Sequence, residues 1–221
     1  TVRAMIEGLL IAIEGIDGAG TTTQTRLLAD ALAGRGLPIH TTREPSDGPI
    51  GVLIRQMLTG RVVVPGLGGP RAPRWTTMAL LFAADRVDHL DAEVIPNLMD
   101  GVTVLTDRYD YSSVAYQSLT AGGDRADTIA WVRTLNAQAR RPDLTIVLDV
   151  SPENASSRRQ TRSGTRELFE EDDLQAQLAN FYLRIEDHFP GDNIVHIEAN
   201  DGIEATAARV LHAVKVLRRE A

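Results

Sequence analysis

The sequence predicts an α/β fold of three layers, in which a five-stranded parallel sheet is flanked by helices. Five short runs rich in Ile, Val and Leu recur along the chain. Longer stretches with apolar residues at helical spacing separate these runs. The alternation is typical of parallel strands joined by helical crossovers, because tight turns cannot join parallel strands.

The elements follow from these two patterns in chain order. The apolar runs predict strands over residues 9–13, 38–42, 102–106, 144–150 and 193–197. Helical periodicity predicts helices over residues 22–34, 50–58, 76–99, 127–140, 152–159, 173–188 and 203–219. We expect one domain over residues 9–221 after an N-terminal extension of residues 1–8, with the Gly- and Pro-rich residues 60–74 forming a surface excursion.

Composition limits the functions that the chain can have. Its 221 residues include 30 acidic and 23 basic side chains, a formal net charge of −7, and no cysteine. A nucleic-acid binder needs a basic face, so we expect no nucleic-acid partner. The lack of cysteine excludes disulfide frameworks and thiolate zinc sites and suits the reduced cytoplasm, where we expect the protein to act. No apolar run approaches the roughly 20 residues of a membrane span, so no membrane partner is expected.

A glycine-rich turn follows the first predicted strand and precedes a predicted helix. Gly15, Gly18 and Gly20 have the spacing of a Walker A phosphate-binding loop, or P-loop. Glycines let such a turn present successive backbone N–H groups to an anion, and the helix N-terminus adds partial positive charge. The motif has Lys before its hydroxyl residue, whereas this chain has Thr21 there, followed by Thr22 at the position that binds Mg²⁺.

Two further groups of residues suit phosphate chemistry. Asp107 and Arg108 follow the third predicted strand, at the edge of the sheet where ligands bind in open α/β folds. A buried ion pair is the structural alternative for them. Within residues 156–166, four arginines and no acid occur, which indicates a mobile basic lid over residues 156–170. A solvated charged loop is the alternative there.

The motifs together resemble those of the thymidylate kinase family. Members of this family are nucleoside monophosphate kinases with the P-loop NTPase fold. The resemblance covers nearly the whole chain, from Leu10 to about His212. It is carried by IAIEGIDGAG from Ile11, TREP from Thr42, PIGVLIRQML from Pro49, LLFAADR from Leu80, DRYDYSSVAYQ from Asp107 and PDLTIVLDVSPENASSRR from Pro142. It implies transfer of the γ-phosphoryl group of ATP to dTMP, giving dTDP and ADP, by a protein that is a homodimer.

The resemblance also implies an acceptor site for dTMP. Phe82 and Arg86 are four residues apart, so they share a helix face on which a ring can stack on the base beside a guanidinium. Ser113 and Gln117 repeat this spacing on the next helix and can bond the base edge, while Tyr116 would disfavour a ribose. The remaining expected dTMP-binding residues are Asp17, Glu44, Arg55 and Arg108.

For the donor end, the resemblance implies a P-loop that binds ATP and a magnesium ion. The expected ATP-binding residues are Gly15, Ile16, Asp17, Gly18, Ala19, Gly20, Thr21, Thr22, Thr23 and Arg162. Thr22 and Asp107 are expected to hold Mg²⁺. The expected catalytic residues are Asp17, Asp107, Arg108, Arg158 and Arg159, with lid arginines supplying the charge that the P-loop lacks.

Two alternative functions remain open. The chain could be a P-loop kinase for another nucleotide-like acceptor. It could also be a catalytically weak nucleotide-binding homologue, because a Thr hydroxyl cannot neutralise phosphate charge as a lysine ammonium does.

Overall fold

A parallel sheet forms the centre of the fold in the computed structural model, which describes residues 8–66, 68–122, 125–161, 169 and 171–219. Its strands are Leu10–Glu14 (β1), Ile39–Arg43 (β2), Thr103–Asp107 (β3), Leu144–Asp149 (β4) and Ile194–Glu198 (β5). Their spatial order is β2-β3-β1-β4-β5, and every adjacent pair is parallel. The α/β fold with a five-stranded parallel sheet is therefore confirmed.

Helices connect the strands and cover the sheet. Their bounds are Thr21–Ala33 (α1), Pro49–Leu58 (α2), Trp75–His89 (α3), Ile95–Met99 (α4), Asp110–Thr120 (α5), Arg125–Leu135 (α6), Pro152–Thr161 (α7), Asp172–Tyr182 (α8) and Ile203–Arg218 (α9). A π-helical stretch, Leu90–Val94, joins α3 to α4, so the predicted helix 76–99 is continuous in the structure. Within the described ranges, no helix combines the length and the apolar character that crossing a membrane requires.

The central strand β1 explains why the sheet could be predicted. All of its residues are buried, and β3 and β4 pair with it on either side. A parallel strand that helices cover on both faces has no solvent-facing side, so β1 is apolar from Leu10 to Ile13 rather than alternating. Residues 60–74 connect α2 to α3, and an antiparallel bridge joins Val64 to Arg71 there.

Helix α5 was missing from the predicted helix bounds. Eight of its eleven residues are buried, among them Asp110, Ser113, Gln117 and Ser118. Because polar side chains occupy buried positions, the sequence shows no separate apolar and polar faces from which a helix could be bounded. Two of these polar residues, Ser113 and Gln117, line the cavity described below.

Three other predicted helices end differently. Helix α6 ends at Leu135, not residue 140, since the side chain of Asn136 bonds back to the carbonyl of Val132 and competes with a further turn. Helix α8 ends at Tyr182, and a 3₁₀ turn, Ile185–His188, follows where Arg184 leaves helical backbone angles. Helix α7 extends to Thr161, so residues 156–161 of the predicted lid are helical rather than a mobile loop.

Two parts of the predicted organisation cannot be compared with the structure. The remainder of the predicted lid, apart from Phe169, and residues 1–7 of the predicted extension lie outside the described residues. Arg162 and Arg166 are among them.

A partly buried ion cluster joins α5 to the loops beside β4 and β5. Arg141 donates to Asp110 and, at 2.6 Å, to Asp192, and its guanidinium lies 5.0 Å from the ring of Tyr111. The Asp110 side chain is only 3% exposed, and burial raises its pKa although Arg141 opposes that shift. Removing Arg141 would leave a buried carboxyl without its cation.

We therefore expect Arg141→Met to lower the free energy of unfolding by about 2 to 3 kcal/mol, below the full cost of breaking a wholly buried pair because Arg141 is partly exposed. Arg26→Met is the control, since Arg26 and Asp30 form a pair that is 68% exposed on both sides. Its expected effect is below about 0.5 kcal/mol. Urea unfolding of both variants measures the difference, and equal effects would contradict a structural role for Arg141.

Candidate active site

A cavity of about 840 Å³ lies at the carboxyl edge of the sheet. Residues after β1, β2 and β3 line it together with side chains of α2, α3 and α5. The expected site residues that line it are Asp17, Gly18, Ala19, Gly20, Thr21, Thr22, Thr23, Glu44, Arg55, Phe82, Arg86, Asp107, Arg108, Ser113, Tyr116, Gln117 and Arg158. Gly15, Ile16 and Arg159 lie beside the cavity wall.

The P-loop joins β1 to α1 in a tight turn. Gly20 caps the helix in a left-handed conformation, with φ of 100°, which glycine adopts without steric cost. Gly18 also has a positive φ, of 93°, and a Cβ at this position would lie 2.4 Å from the carbonyl oxygen of Ala155. Glycine at position 18 therefore lets α7 pack directly on the P-loop.

Helix α1 begins at Thr21, the residue that replaces the Walker A lysine. The Thr21 side chain is buried. The backbone carbonyl of Thr21 accepts a hydrogen bond from the Thr25 hydroxyl at 2.9 Å. Position 21 thus contributes no cation to the cavity. The positive potential that the P-loop itself supplies comes from the N-terminus of α1, whose first turn contains no acid.

The two expected metal ligands are in contact. The hydroxyl of Thr22 donates to Oδ2 of Asp107, and Oδ1 of Asp107 is buried with no hydrogen-bond partner among the described residues. The register of β1 against β3, which places Ile13 opposite Asp107, brings these residues together from distant parts of the chain. A hydroxyl beside a carboxylate with a free oxygen suits a hard cation such as Mg²⁺.

Arg108 links the P-loop to the opposite wall of the cavity. Its Nη2 donates to Oδ1 of Asp17 at 2.6 Å, and its Nη1 donates to the Gly15 carbonyl at 2.8 Å. The guanidinium carbon lies 5.5 Å from the ring centroid of Tyr116. Burial disfavours the charged form of Arg108. Tyr116 and Asp17, which face the guanidinium, nevertheless hold the pKa of Arg108 well above its usual value. The arginine therefore remains a cation at the centre of the cavity.

Arg108 is also held in an uncommon backbone conformation. Its φ is 71°, a value that non-glycine residues adopt at a cost of about 1 kcal/mol or more. The Thr106 hydroxyl donates to the Arg108 carbonyl at 2.7 Å, and the Arg108 N–H donates to the carbonyl of Ile13 at 3.0 Å. These bonds hold the turn in place.

Gln175 of α8 holds Asp17 from the other side. Its Oε1 accepts the Asp17 N–H at 2.9 Å, and its Nε2 donates to Oδ2 of Asp17 at 2.9 Å and to the Phe169 carbonyl at 2.8 Å. Asp17 is therefore fixed between Gln175 and Arg108. Gln175 is fully buried, and its amide groups are used in these bonds.

The two described lid arginines donate to backbone carbonyls of the P-loop. Arg158 donates to the carbonyls of Ala19 at 3.2 Å and Ala199 at 2.7 Å. Arg159 donates to the Asp17 carbonyl and to the Asp172 carboxylate, each at 2.6 Å. Two guanidinium groups thus lie against the turn that lacks its lysine, and Arg158 also lines the cavity.

At the far end of the cavity, an aromatic wall faces a buried amide. Phe82 of α3 lines this end, and the Tyr116 ring contacts that of Phe169 edge to face at 5.6 Å between centroids. The amide of Gln117 is fully buried, and neither its Nε2 nor its Oε1 has a hydrogen-bond partner among the described residues. An unpaired donor and acceptor together suit a ligand that offers the complementary pair.

Arg86 lies in the same wall but is largely committed to protein partners. Its Nε donates to Glu44 at 2.9 Å, its Nη2 to Glu44 and to the Ser113 hydroxyl at 3.1 Å, and its Nη1 to Asn136. Burial alone would lower the pKa of Arg86, but the Glu44 carboxylate raises it. Glu44, expected to bind the acceptor, is thus the buried counter-ion of Arg86.

The expected phosphate-binding Arg55 reaches the cavity from α2. Its Nη1 donates to the carbonyls of Pro45 and Ser46, both at 2.6 Å, and its Nη2 donates to Asp47 at 3.0 Å. These bonds hold the loop after β2 against α2. Arg55, Arg86 and Arg108 all line the cavity, but the Arg86 guanidinium is paired with Glu44.

Three residues that shape the site had no role in the expectations: Glu14, Asn136 and Gln175. Glu14 had a detectable signal, since an acid ending a buried strand requires partners. Asn136 and Gln175 had none, because a single polar residue in or after a helix is ordinary. Their partners come from other elements of the fold.

Comparison with known proteins identifies similar chains. A family model described as thymidylate kinase matches residues 13–210. A "Probable thymidylate kinase" of Pyrococcus horikoshii is 37% identical over 95% of this chain and 97% of its own length. Proteins of the same name from Thermococcus kodakarensis (35% identical; 96% of this chain, 100% of theirs) and Caldivirga maquilingensis (39% identical; 80% of each) also match.

The contact between the P-loop and α7 predicts a difference between two glycines. Gly18→Ala should lower the free energy of unfolding by about 1 to 3 kcal/mol more than Gly20→Ala, because both replace a left-handed glycine but only position 18 lacks space. A Cβ at position 20 meets nothing within 4 Å. Denaturant unfolding of both variants measures this, and equal losses would show that α7 does not pack there.

Proposed function

This chain belongs to the thymidylate kinase family, and from that premise we propose that it transfers the γ-phosphoryl group of magnesium-bound ATP to dTMP. Family membership makes it a transferase, a nucleoside monophosphate kinase. One observation supports the assignment of substrates most strongly: a single cavity is lined both by the P-loop and by Phe82, Ser113, Tyr116 and Gln117. Donor and acceptor can therefore occupy one enclosed space.

We assign the base of the acceptor to the end with Phe82 and Gln117. The phenyl ring offers a stacking face, and the free Gln117 amide offers one donor and one acceptor to the Watson–Crick edge of thymine. Tyr116 lies on the path from the base to the P-loop, where its buried ring supports deoxyribose over ribose. Selection of the base then depends on hydrogen bonds to Gln117, and selection of the sugar depends on steric exclusion by Tyr116.

Phosphoryl transfer requires two anions to be held in line while charge spreads over the transferred group. We assign the cations Arg55 and Arg108 to the acceptor phosphate. We assign Asp17, which Gln175 and Arg108 hold in place, to the 3′-hydroxyl of the acceptor. Thr22 and Asp107 would hold Mg²⁺, which when bound neutralises the charge of the ATP phosphates. No side chain needs to act as a covalent nucleophile.

We propose that Arg158 and Arg159 supply the charge that Thr21 cannot. They already lie on P-loop carbonyls, and a guanidinium matches phosphate oxygens with two parallel donors. Arg162 is a further candidate on sequence grounds alone.

The chain is proposed to act as a cytoplasmic homodimer. Leu80 and Val87, seven residues apart on one face of α3, are 51% and 44% exposed, and Val52 of α2 is 45% exposed. A second copy would cover this apolar face.

An acceptor panel tests the function. We expect ADP and dTDP to form together from ATP and dTMP, at rates at least about tenfold above those with dUMP, dCMP, dGMP or AMP. Gln117→Leu should lower kcat/KM for dTMP by about tenfold or more by removing the buried amide, whereas Gln177→Leu, on the exposed face of α8, should not. Preference for another monophosphate would indicate a different acceptor, and dTMP binding without turnover a weak homologue.

A second experiment tests the lid arginines. The double variant Arg158→Ala/Arg159→Ala should lower kcat by about a hundredfold while KM for dTMP changes less than about threefold, because charge at the donor phosphates is lost. Arg26→Ala/Arg35→Ala removes the same charge from the surface and should leave kcat unchanged. Thr21→Lys should restore part of the turnover in the first double variant. Full activity of the Arg158→Ala/Arg159→Ala variant would refute the proposal that these arginines replace the charge of the P-loop lysine.

A further inference from the structure

The carboxylate of Glu14 is fully buried beside the cavity without lining it. Its Oε1 accepts the N–H groups of Tyr109 at 2.8 Å and Ser112 at 3.2 Å. Its Oε2 accepts the hydroxyls of Ser112 at 2.7 Å and Tyr182 at 2.8 Å. Four donors from two elements therefore converge on one side chain that ends β1.

Two of these bonds cap helix α5. Tyr109 is the N-cap residue of α5, and its side chain makes no capping bond. Ser112 is the third residue of the helix, so Glu14 accepts N–H groups of the first turn that the helix cannot satisfy itself. A carboxylate at this end also interacts favourably with the helix dipole. The cap is supplied by a different strand.

The same carboxylate orients the arginine that precedes the cap. Arg108 Nη1 donates to the Ser112 hydroxyl at 3.0 Å, and that hydroxyl donates onward to Glu14. The left-handed turn at Arg108 lies directly before Tyr109, whose N–H Glu14 accepts. Glu14 thus fixes both the backbone after Arg108 and one side of its guanidinium.

We propose that ionised Glu14 is a positioning residue for phosphoryl transfer, which caps α5 from β1 and so holds Arg108 toward Asp17 and the acceptor phosphate. The inference rests on the proposed function, since that function assigns Arg108 to the acceptor. Glu14 touches no substrate in this arrangement and acts only through Arg108 and its turn.

The position of Arg108, and with it turnover, should then depend on whether Glu14 is protonated. A neutral carboxyl carries an O–H on one oxygen, so it cannot accept all four donors at once. Burial raises the pKa of Glu14 to about 7, although Arg108, Ser112, Tyr182 and Tyr109 each lower it.

The arginine and the two tyrosines around Glu14 keep their charge states near pH 7. Arg108 faces it from the turn after β3, and Tyr182 faces it from α8, with Tyr116 and Asp17 on the far side of Arg108. The pKa values of Tyr182 and Tyr116 are raised by burial, so both phenols stay protonated. Arg108 stays charged because its own pKa is raised.

Activity and stability should respond to this proton in opposite directions. Turnover should rise as pH increases through about 7, because ionised Glu14 holds Arg108. The contribution of Glu14 to the free energy of unfolding should fall as pH rises from about 4.5 to about 7, because in that window the folded protein binds the Glu14 proton more tightly than the unfolded chain does. A residue that merely supports the fold would not produce these opposed trends.

The experiment measures kcat with saturating dTMP and magnesium-bound ATP between pH 5.5 and 9 for the full chain and for Glu14→Gln. For the unmodified protein we expect kcat at pH 6 to be lower than at pH 8 by on the order of tenfold. Glu14→Gln should be slower at pH 8 and should lack this limb, while any titration of the substrate phosphate persists in it. Unfolding of both proteins over the same range should show a steeper stability decrease in the unmodified protein, because the raised pKa values of His89 and His196 lower stability with rising pH in both proteins alike.

Tyr182→Phe provides an independent variant with a matched control. Loss of its hydroxyl donor should raise the pKa of Glu14 and move the acid limb upward by about 0.5 to 1 pH unit. Tyr111→Phe also removes a buried hydroxyl, one that bonds Asp192 instead, and should leave the limb in place.

Two outcomes would overturn different claims. An acid limb unchanged in Glu14→Gln, or equal shifts in the two tyrosine variants, would overturn the role of Glu14 while leaving the kinase assignment intact. Lack of dTMP turnover by the unmodified protein would overturn the proposed function, and with it the assignment of Arg108 on which this role depends.

Discussion

The pairing of β1 with β3 is the constraint on which the rest of the site depends. Because the two strands are parallel and Ile13 lies opposite Asp107, both chain segments leave the sheet at the same edge. The bonds from Thr22 to Asp107, from Arg108 to Asp17 and from Tyr109 to the acid that ends β1 all cross between these two segments. A shift in this register would separate every one of these pairs.

The P-loop has no lysine of its own, and arginines from other elements donate to its backbone. In an acidic chain with net charge −7, the cations near the P-loop are guanidinium groups on other elements: Arg108 after β3, and Arg158 and Arg159 on α7. Each donates to a P-loop carbonyl, so the backbone of the turn is braced from outside. The close contact of Gly18 with α7 makes that bracing possible.

Local patterns were sufficient to predict the sheet and the P-loop, whereas the acceptor residues that line the cavity were predicted from the resemblance to a known family. Apolar runs identify buried parallel strands, and glycine spacing identifies the P-loop, because both depend on neighbouring residues only. Helix α5 could not be bounded, since its buried positions hold Ser113 and Gln117 as well as apolar side chains. The capping of that helix by Glu14 and the grip of Gln175 on Asp17 depend on tertiary contacts, which no sequence period records.

The end of the cavity that we assign to the acceptor base contains two buried polar side chains, which differ in whether their hydrogen bonds are already satisfied. Arg86 uses four of its five N–H groups on Glu44, Ser113 and Asn136, so it is rigid and stabilised by the protein itself. Gln117 is equally buried but has no hydrogen-bond partner in the described part of the chain. An unsatisfied buried amide costs about 1 to 3 kcal/mol, a penalty that only a ligand with the complementary donor and acceptor removes. Selectivity for the base should therefore depend more on Gln117 than on Arg86. Arg86 and Glu44 hold the cavity wall around Gln117 in place.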